Sequence, residues 1–182
     1  MDIPITNQLD SALNKNVVML FLNDRNELDK QILDIFSFVS KKGFIPLYVT
    51  SSIPAVSINA MLRNIGLPKY RIIDTITNSL YNGSKDDTEN AIFVDSPADL
   101  TRLSMSIDNV LKENKDVFVF IDSITAFLIY NPEDEILRFI HYTSSVVREN
   151  NHKVFFVVLS NAGISSAFID KIRSFIDYEM RL

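Results

Sequence analysis

The residue best placed for chemistry in this sequence is Asp122, which follows the apolar run Val117–Ile121. A short apolar run rich in β-branched and aromatic residues, bounded by charge, is typical of a strand buried on both faces of a parallel sheet. Asp122 would then lie at the carboxyl end of that strand, where open α/β sheets bind their ligands. An aspartate in this place can hold Mg²⁺, directly or through water. The alternative is that Asp122 only ends a strand and caps the following turn.

Two other sets of polar residues suggest metal binding less strongly. The two histidines, His141 and His152, have no H-x-x-x-H spacing, so we expect surface or capping roles and no metal site. The acids Glu133–Glu135 follow Asn131-Pro132, a pattern typical of a helix start with a capping residue and acids in the first turn. Acids at a helix start explain this cluster more simply than a metal ion does.

The composition sets the class of protein. The chain has 182 residues, a hydrophobic content of 47%, a net charge of -5 and no cysteine. This charge gives no general attraction to nucleic acid or to anionic membranes. The N-terminus lacks the pattern of a signal peptide, and apolar runs such as Val17–Leu22 are too short to span a bilayer. We therefore expect a single cytoplasmic domain over residues 1–182 that contacts no membrane.

Strand and helix patterns alternate along the chain. Strands are predicted at Val17–Leu22, Phe44–Thr50, Arg71–Thr77, Ala91–Val94, Val117–Asp122, Val154–Leu159 and, as a terminal edge strand, Ile176–Leu182. Helical spacing is predicted at Leu28–Val39, Pro54–Gly66, Ile136–Val147, Ser166–Phe175 and, after a cap at Ser96 with Pro97 and Asp99, Leu100–Leu111. The polar stretch Asn82–Asn90 is predicted to be a surface loop. This alternation predicts a mainly parallel sheet with helices on both faces.

Several segments together resemble the KaiC branch of the RecA-like ATPases, which have a P-loop NTPase fold. Thr6–Asp10 stands where the family has Thr-Gly…Leu-Asp, and Leu47–Thr50 (LYVT) matches its second strand. Val119–Thr125 (VFIDSIT) is similar to the strand that binds magnesium in the family, with Asp122 and Ser123 at its end. The resemblance spans nearly the whole chain and implies a three-layer α/β sandwich.

The phosphate-binding loop departs from the family pattern. Family members carry G-x-x-x-x-G-K-[ST], whose backbone amides, lysine and hydroxyl bind phosphate and Mg²⁺. Aligning Lys30 with that lysine puts Asp24 and Asp29 at the glycine positions and Gln31 at the Ser/Thr position. A residue with a Cβ resists the positive φ that such a loop needs. Each close pair of like charges also costs about 3–4 kcal/mol at an effective dielectric of about 20. The sequence thus predicts a degenerate Walker A segment.

A second departure concerns the water-activating acids. In the family, acids just beyond the second strand commonly act on the attacking water, but Ser51 and Ser52 stand there in this chain. A hydroxyl is a poor general base near neutral pH compared with a carboxylate.

These departures predict a pseudo-ATPase, a non-catalytic KaiC/RecA-like homologue that acts as a protein-binding or regulatory module. It would have no catalytic residue and no cofactor, and Lys30, Asp122 and Ser123 would be the remnant of a nucleotide and magnesium site. The alternative is an atypical ATP-binding protein or ATPase, in which Lys30 and Asp122 serve ATP and Mg²⁺ and a neighbouring subunit completes the site. A protein partner or self-association is expected in both cases. Direct binding to nucleic acid is disfavoured by the net charge.

Overall fold

The described part of the chain is organised around one parallel β-sheet. The computed structural model of the protein describes residues 5–22, 25–80, 89–159 and 163–181. The strands within these ranges are β1 (Val17–Leu22), β2 (Ile45–Thr50), β3 (Arg71–Asp74), β4 (Ala91–Phe93), β5 (Val117–Asp122), β6 (Lys153–Leu159) and β7 (Tyr178–Arg181). Their spatial order is β4-β3-β2-β5-β6-β1-β7, and every pair of neighbours is parallel. The predicted parallel sheet and its terminal edge strand are confirmed.

Helices cover both faces of this sheet. They are α1 (Ile5–Leu13), α2 (Arg25–Lys41), α3 (Ala55–Asn64), α4 (Thr77–Leu80), α5 (Leu100–Glu113), α6 (Ile124–Phe127), α7 (Glu133–Glu149) and α8 (Ser166–Arg173). Buried side chains of α1, α2 and α3 form a core on one face, here called the α2 face. Those of α5, α6, α7 and α8 form a core on the other, the α7 face. The protein is therefore a three-layer α/β sandwich, as predicted.

The strand β5 shows how the sequence pattern produces this arrangement. All six of its residues are buried. Because successive side chains of a strand point to opposite faces, Val119 and Ile121 join the core of the α7 face, and Phe118 and Phe120 join that of the α2 face. The same alternation directs Asp122 toward the α2 face. The prediction of a strand buried on both faces is confirmed.

Short helices and helix starts differ from the predictions. Helices α1, α4 and α6 were not expected, and α4 and α6 have only four residues each. The cap of α5 is Asp99, whose side chain accepts a hydrogen bond from the Arg102 N–H at 2.9 Å, so the predicted cap at Ser96 is wrong. Ser96 instead accepts from the Ala98 N–H, because the chain makes a further turn before the helix begins.

The start of α7 also differs from the prediction. Pro132 precedes the helix without a side-chain cap, so the predicted capping role of Asn131 is wrong. The Asn131 amide is buried and donates to the backbone carbonyls of Pro97 and Phe127, both at 3.0 Å, which ties α6 to the segment before α5. The acids Glu133–Glu135 do lie in the first turn of α7, which confirms the simpler interpretation of that cluster.

No described helix has the length and apolarity needed to cross a membrane. Most of the predicted loop at Asn82–Asn90 lies outside the described residues.

Candidate functional site

The carboxyl edge of the sheet brings together three buried polar residues. The strands β3, β2 and β5 are neighbours, and the register pairs Thr50 with Asp74 on one side and with Asp122 on the other. All three side chains are buried without any exposed surface. This edge is where open α/β sheets bind ligands, so it is the candidate site.

Asp122 is held by a tyrosine from the neighbouring strand. The Tyr48 hydroxyl donates to Oδ2 of Asp122 at 2.5 Å, and this bond is buried. Tyr48 pairs directly with Phe120, so its long side chain reaches diagonally along the α2 face to the residue two positions further on. The phenol thereby obtains the hydrogen-bond partner that a buried tyrosine needs. The Asp122 carboxyl is consequently part of the packed core.

The serines beside Asp122 bond the backbone. Both the backbone N–H and the hydroxyl of Ser51 donate to the Asp122 carbonyl oxygen at 3.0 Å, and the Ser51 Oγ accepts from the Ser123 N–H at 3.3 Å. The peptide bond between Asp122 and Ser123 is cis. The Ser123 Oγ accepts from the Ala126 N–H at 3.1 Å, which caps α6. Both hydroxyls therefore serve to join β2, β5 and α6.

Asp74 performs the same task for the neighbouring turns. Its two carboxyl oxygens accept four hydrogen bonds, from the backbone N–H groups of Ala55, Ile76 and Thr77 and from the Thr77 hydroxyl, at 2.6–2.8 Å. These contacts fix the starts of α3 and α4 onto the end of β3. Thr50 is similar, because its Oγ1 donates to the Ile53 carbonyl at 2.7 Å and accepts the Ile53 N–H at 3.0 Å.

This arrangement does not fit a magnesium ion held by Asp122. Mg²⁺ in proteins usually keeps several waters and takes one or two carboxylates that face them. Asp122 presents no surface to solvent, and the Ser123 Oγ accepts a backbone N–H. Among the residues that the structure describes, no group of three or more histidines and acids is placed to hold a metal.

Comparison with known proteins identifies the fold. No protein-family model matches the chain, and no curated protein sequence is similar to it. Among solved structures, the uncharacterized protein PH0321 from Pyrococcus horikoshii, in complex with an unknown peptide, superposes with a TM-score of 0.66 at 14% identity. That alignment covers 96% of this chain and 82% of PH0321.

Two further structures agree. PH0250 from Pyrococcus horikoshii gives a TM-score of 0.62 at 12% identity, covering 97% of this chain and 86% of that one. The flagellar accessory protein FlaH from Methanocaldococcus jannaschii gives 0.56 at 12% identity, covering 99% and 78%. The chain has a RecA/KaiC-like fold. At these identities the likeness concerns the fold alone.

The segment predicted to stand in the place of the phosphate-binding loop is only partly described. Asn23 and Asp24 lie outside the described residues, as do the side chains of Arg25–Lys30, so the role of Lys30 in a nucleotide site stays a prediction. Lys30 itself belongs to α2. Gln31, the predicted counterpart of the family Ser/Thr, has a buried Oε1 with no hydrogen-bond partner in the described structure. The structure therefore brings Asp122, Ser123 and Ser51 together but does not place the Lys30 side chain.

The two histidines lie away from this edge. His141 is exposed, as expected, with its ring 5.0 Å from that of Phe175. His152 is only 4% exposed, so a surface role is wrong for it. Its Nδ1 accepts the N–H of Val117, the first residue of β5, at 3.1 Å. Burial lowers the pKa of His152, while a hydrogen bond to the Leu111 backbone and the charge of Asp116 act in the opposite direction.

Sequence reasoning missed Tyr48 and Asp74. A signal for Tyr48 was present, since a tyrosine within an apolar buried strand needs a polar partner for its hydroxyl. A signal for Asp74 was the same one that singled out Asp122, namely an aspartate that follows a short apolar run, Ile72-Ile73. The position of β2 between β3 and β5 could not be predicted from any local sequence pattern.

Proposed function

We propose that this chain is a pseudo-ATPase, a non-catalytic module with a RecA/KaiC-like fold that binds a protein partner. The observation that carries the proposal is the fully buried carboxyl of Asp122, held by the Tyr48 hydroxyl at 2.5 Å. For Asp122 to hold Mg²⁺, its buried carboxyl would have to gain access to solvent.

The neighbouring residues support the same proposal. Ser51, which stands where the family has a water-activating acid, is buried, and its hydroxyl bonds the backbone of Asp122 and Ser123. A hydroxyl engaged in this way has no carboxylate-like capacity to accept a proton from water. Nucleotide-linked Mg²⁺ and water activation thus both lack a suitable side chain among the described residues of this edge.

Protein binding is the positive half of the proposal. The fold neighbour PH0321 was solved in complex with an unknown peptide. We propose that this chain likewise binds a peptide segment of a partner protein, and that this binding is its function. Peptides selected by display against the purified protein should bind saturably, and one to one, in calorimetry. Failure of every selected peptide to bind in solution would contradict the proposed peptide binding. It would leave the proposed lack of ATPase activity unaffected.

The other half of the proposal is that the chain does not bind or hydrolyse ATP. Calorimetry with MgATP, MgADP and the same nucleotides in EDTA tests it. We expect no Mg²⁺-dependent heat for the wild-type protein, because Asp122 is held within the core. The Asp122→Ala variant should give the same null titration. Mg²⁺-dependent binding at micromolar concentration that disappears in Asp122→Ala would contradict the proposal.

The alternative, an ATPase completed by a neighbouring subunit, predicts a different result. Phosphate release per subunit would then rise with protein concentration and would be lost in Lys30→Ala. The matched control is Lys41→Ala, which removes an exposed lysine from the last turn of the same helix. We expect no turnover at any concentration, and equal background in wild type and both variants.

A further inference from the structure

A groove between α5 and α7 is a separate surface, on the outer side of the α7 face. It has a volume of about 600 Å³ and is lined by eight residues of the two helices. Leu100 and Phe139 are its buried members, whereas Met105 and Tyr142 are 62% and 45% exposed. Large apolar side chains gathered in this way on the surface of a soluble protein often mark an interaction site.

The base of the groove differs from the exposed bases of α5. Those bases are paired within the chain, Arg102 with Asp95 and Lys112 with Asp108, each at 2.6 Å. In the groove, the side chains of Glu135 and Arg138 form neither an ion pair nor a hydrogen bond with any residue that the structure describes. They lie three positions apart on α7, so they are neighbours on one face of the helix.

We propose that a second copy of this chain docks on this groove, with the two α7 helices antiparallel. A twofold axis that crosses α7 between Glu135 and Arg138 would place Glu135 of each copy opposite Arg138 of the partner subunit. Two reciprocal ion pairs would form, which is the self-complementary contact that a twofold interface requires. Met105 and Tyr142 flank the two charges and would be covered in the same contact.

The charge pattern is the reason for choosing a second copy over an unrelated partner. A groove with charges of one sign would fit a partner of opposite charge. One acid and one base within a single turn are instead complementary to the same surface rotated by half a turn. Eight lining residues are fewer than the roughly 20–30 a side of a standard interface, so we expect weak, concentration-dependent association.

Sedimentation velocity over a concentration series, without nucleotide, tests the proposal. The wild-type protein should shift from monomer toward dimer as its concentration rises. Arg138→Glu would put acids opposite each other and should weaken association by about tenfold or more. The double variant Glu135→Arg/Arg138→Glu exchanges the two charges and should restore association. Lys115→Glu is the matched control, since it makes the same change of charge on an exposed residue outside the groove.

Three outcomes would overturn the proposal. They are a wild-type protein that stays monomeric throughout, equal weakening by Arg138→Glu and Lys115→Glu, and a double variant that fails to associate. The thermal unfolding of each variant, measured at low concentration, separates loss of association from loss of the fold. Neither ATP binding nor peptide binding enters this measurement, so its result is independent of the proposed function.

Discussion

The carboxyl and amino edges of the sheet invite comparison, because both carry buried or partly buried polar side chains. At the carboxyl edge, Asp74 binds three backbone N–H groups and Asp122 binds Tyr48. At the amino edge, Asp177 accepts the Val17 N–H at 2.9 Å, and the His152 ring accepts the Val117 N–H at 3.1 Å. The two edges are built in the same way.

That likeness is instructive, because open α/β sheets normally differ at their two edges. Ligands bind outside the carboxyl ends of the strands, so polar groups there are expected to face a cleft. In this chain the described polar side chains of that edge hold turns and strands together, as those of the amino edge do. At the amino edge, burial lowers the pKa of His152 and that of Lys153, and the charge of Asp177 opposes the shift of Lys153.

The largest expected effect is that of Asp74→Ala at the carboxyl edge. The variant removes the acceptor of three backbone N–H groups, two of them in buried hydrogen bonds, and should lower the free energy of unfolding by on the order of 3–4 kcal/mol. Chemical denaturation measures this loss. The control Asp95→Ala removes an aspartate whose bonds, to Arg102 and Asn78, are exposed, and it should cost less than about 1 kcal/mol. Equal losses in the two variants would mean that Asp74 does not hold this edge.

Tyr48→Phe is expected to have the next largest effect. It removes the donor to Asp122 and should cost about 1–3 kcal/mol. Tyr70→Phe is a close match, because the Tyr70 hydroxyl is also buried and donates to the side-chain oxygen of Asn59 at 2.5 Å. A carboxylate accepts more strongly than an amide, so the Tyr48 variant should lose more stability in the same denaturation experiment.

A Tyr48→Phe variant as stable as wild type would contradict the likeness between the two edges. It would indicate that the hydrogen bond between Tyr48 and Asp122 does not stabilise the carboxyl edge. Mg²⁺-dependent nucleotide binding gained by Tyr48→Phe would have a sharper meaning. The tyrosine alone would then separate this edge from a working site.

The sequence predicts the strands of this fold better than the contacts of its candidate site. Runs such as Val117–Ile121 are apolar on both sides, and only a doubly covered sheet buries them, so the fold class follows from local pattern. The bond between Tyr48 and Asp122 joins residues 74 positions apart and depends on β2 lying beside β5. The residue pattern of either strand alone does not indicate that the two strands are neighbours.

Helix starts were predicted less well for a local reason. Ser96 and Asp99 are both residues that cap helices, and both do accept a backbone N–H. Which of them begins α5 depends on backbone angles around Pro97 that composition does not encode. The four-residue helices α4 and α6 are too short to show a period at all.

The smallest expected effect is a pH dependence at the amino edge. Burial lowers the pKa of His152 below its usual 6.5, so the folded protein favours the neutral ring, whose Nδ1 accepts the Val117 N–H. The unfolded chain then binds the proton more readily, and this part of the stability is complete above about pH 6.5 and declines as the pH falls. Denaturation midpoints between about pH 7.5 and 5.5 measure it, in a range where most carboxylates stay ionised.

Two variants assign that decline to one ring. His152→Gln removes the titrating group and should flatten the profile over this range, although it lowers stability at every pH. His141→Gln changes an exposed histidine and should keep the wild-type slope. If the decline survived in His152→Gln, the proton would bind elsewhere.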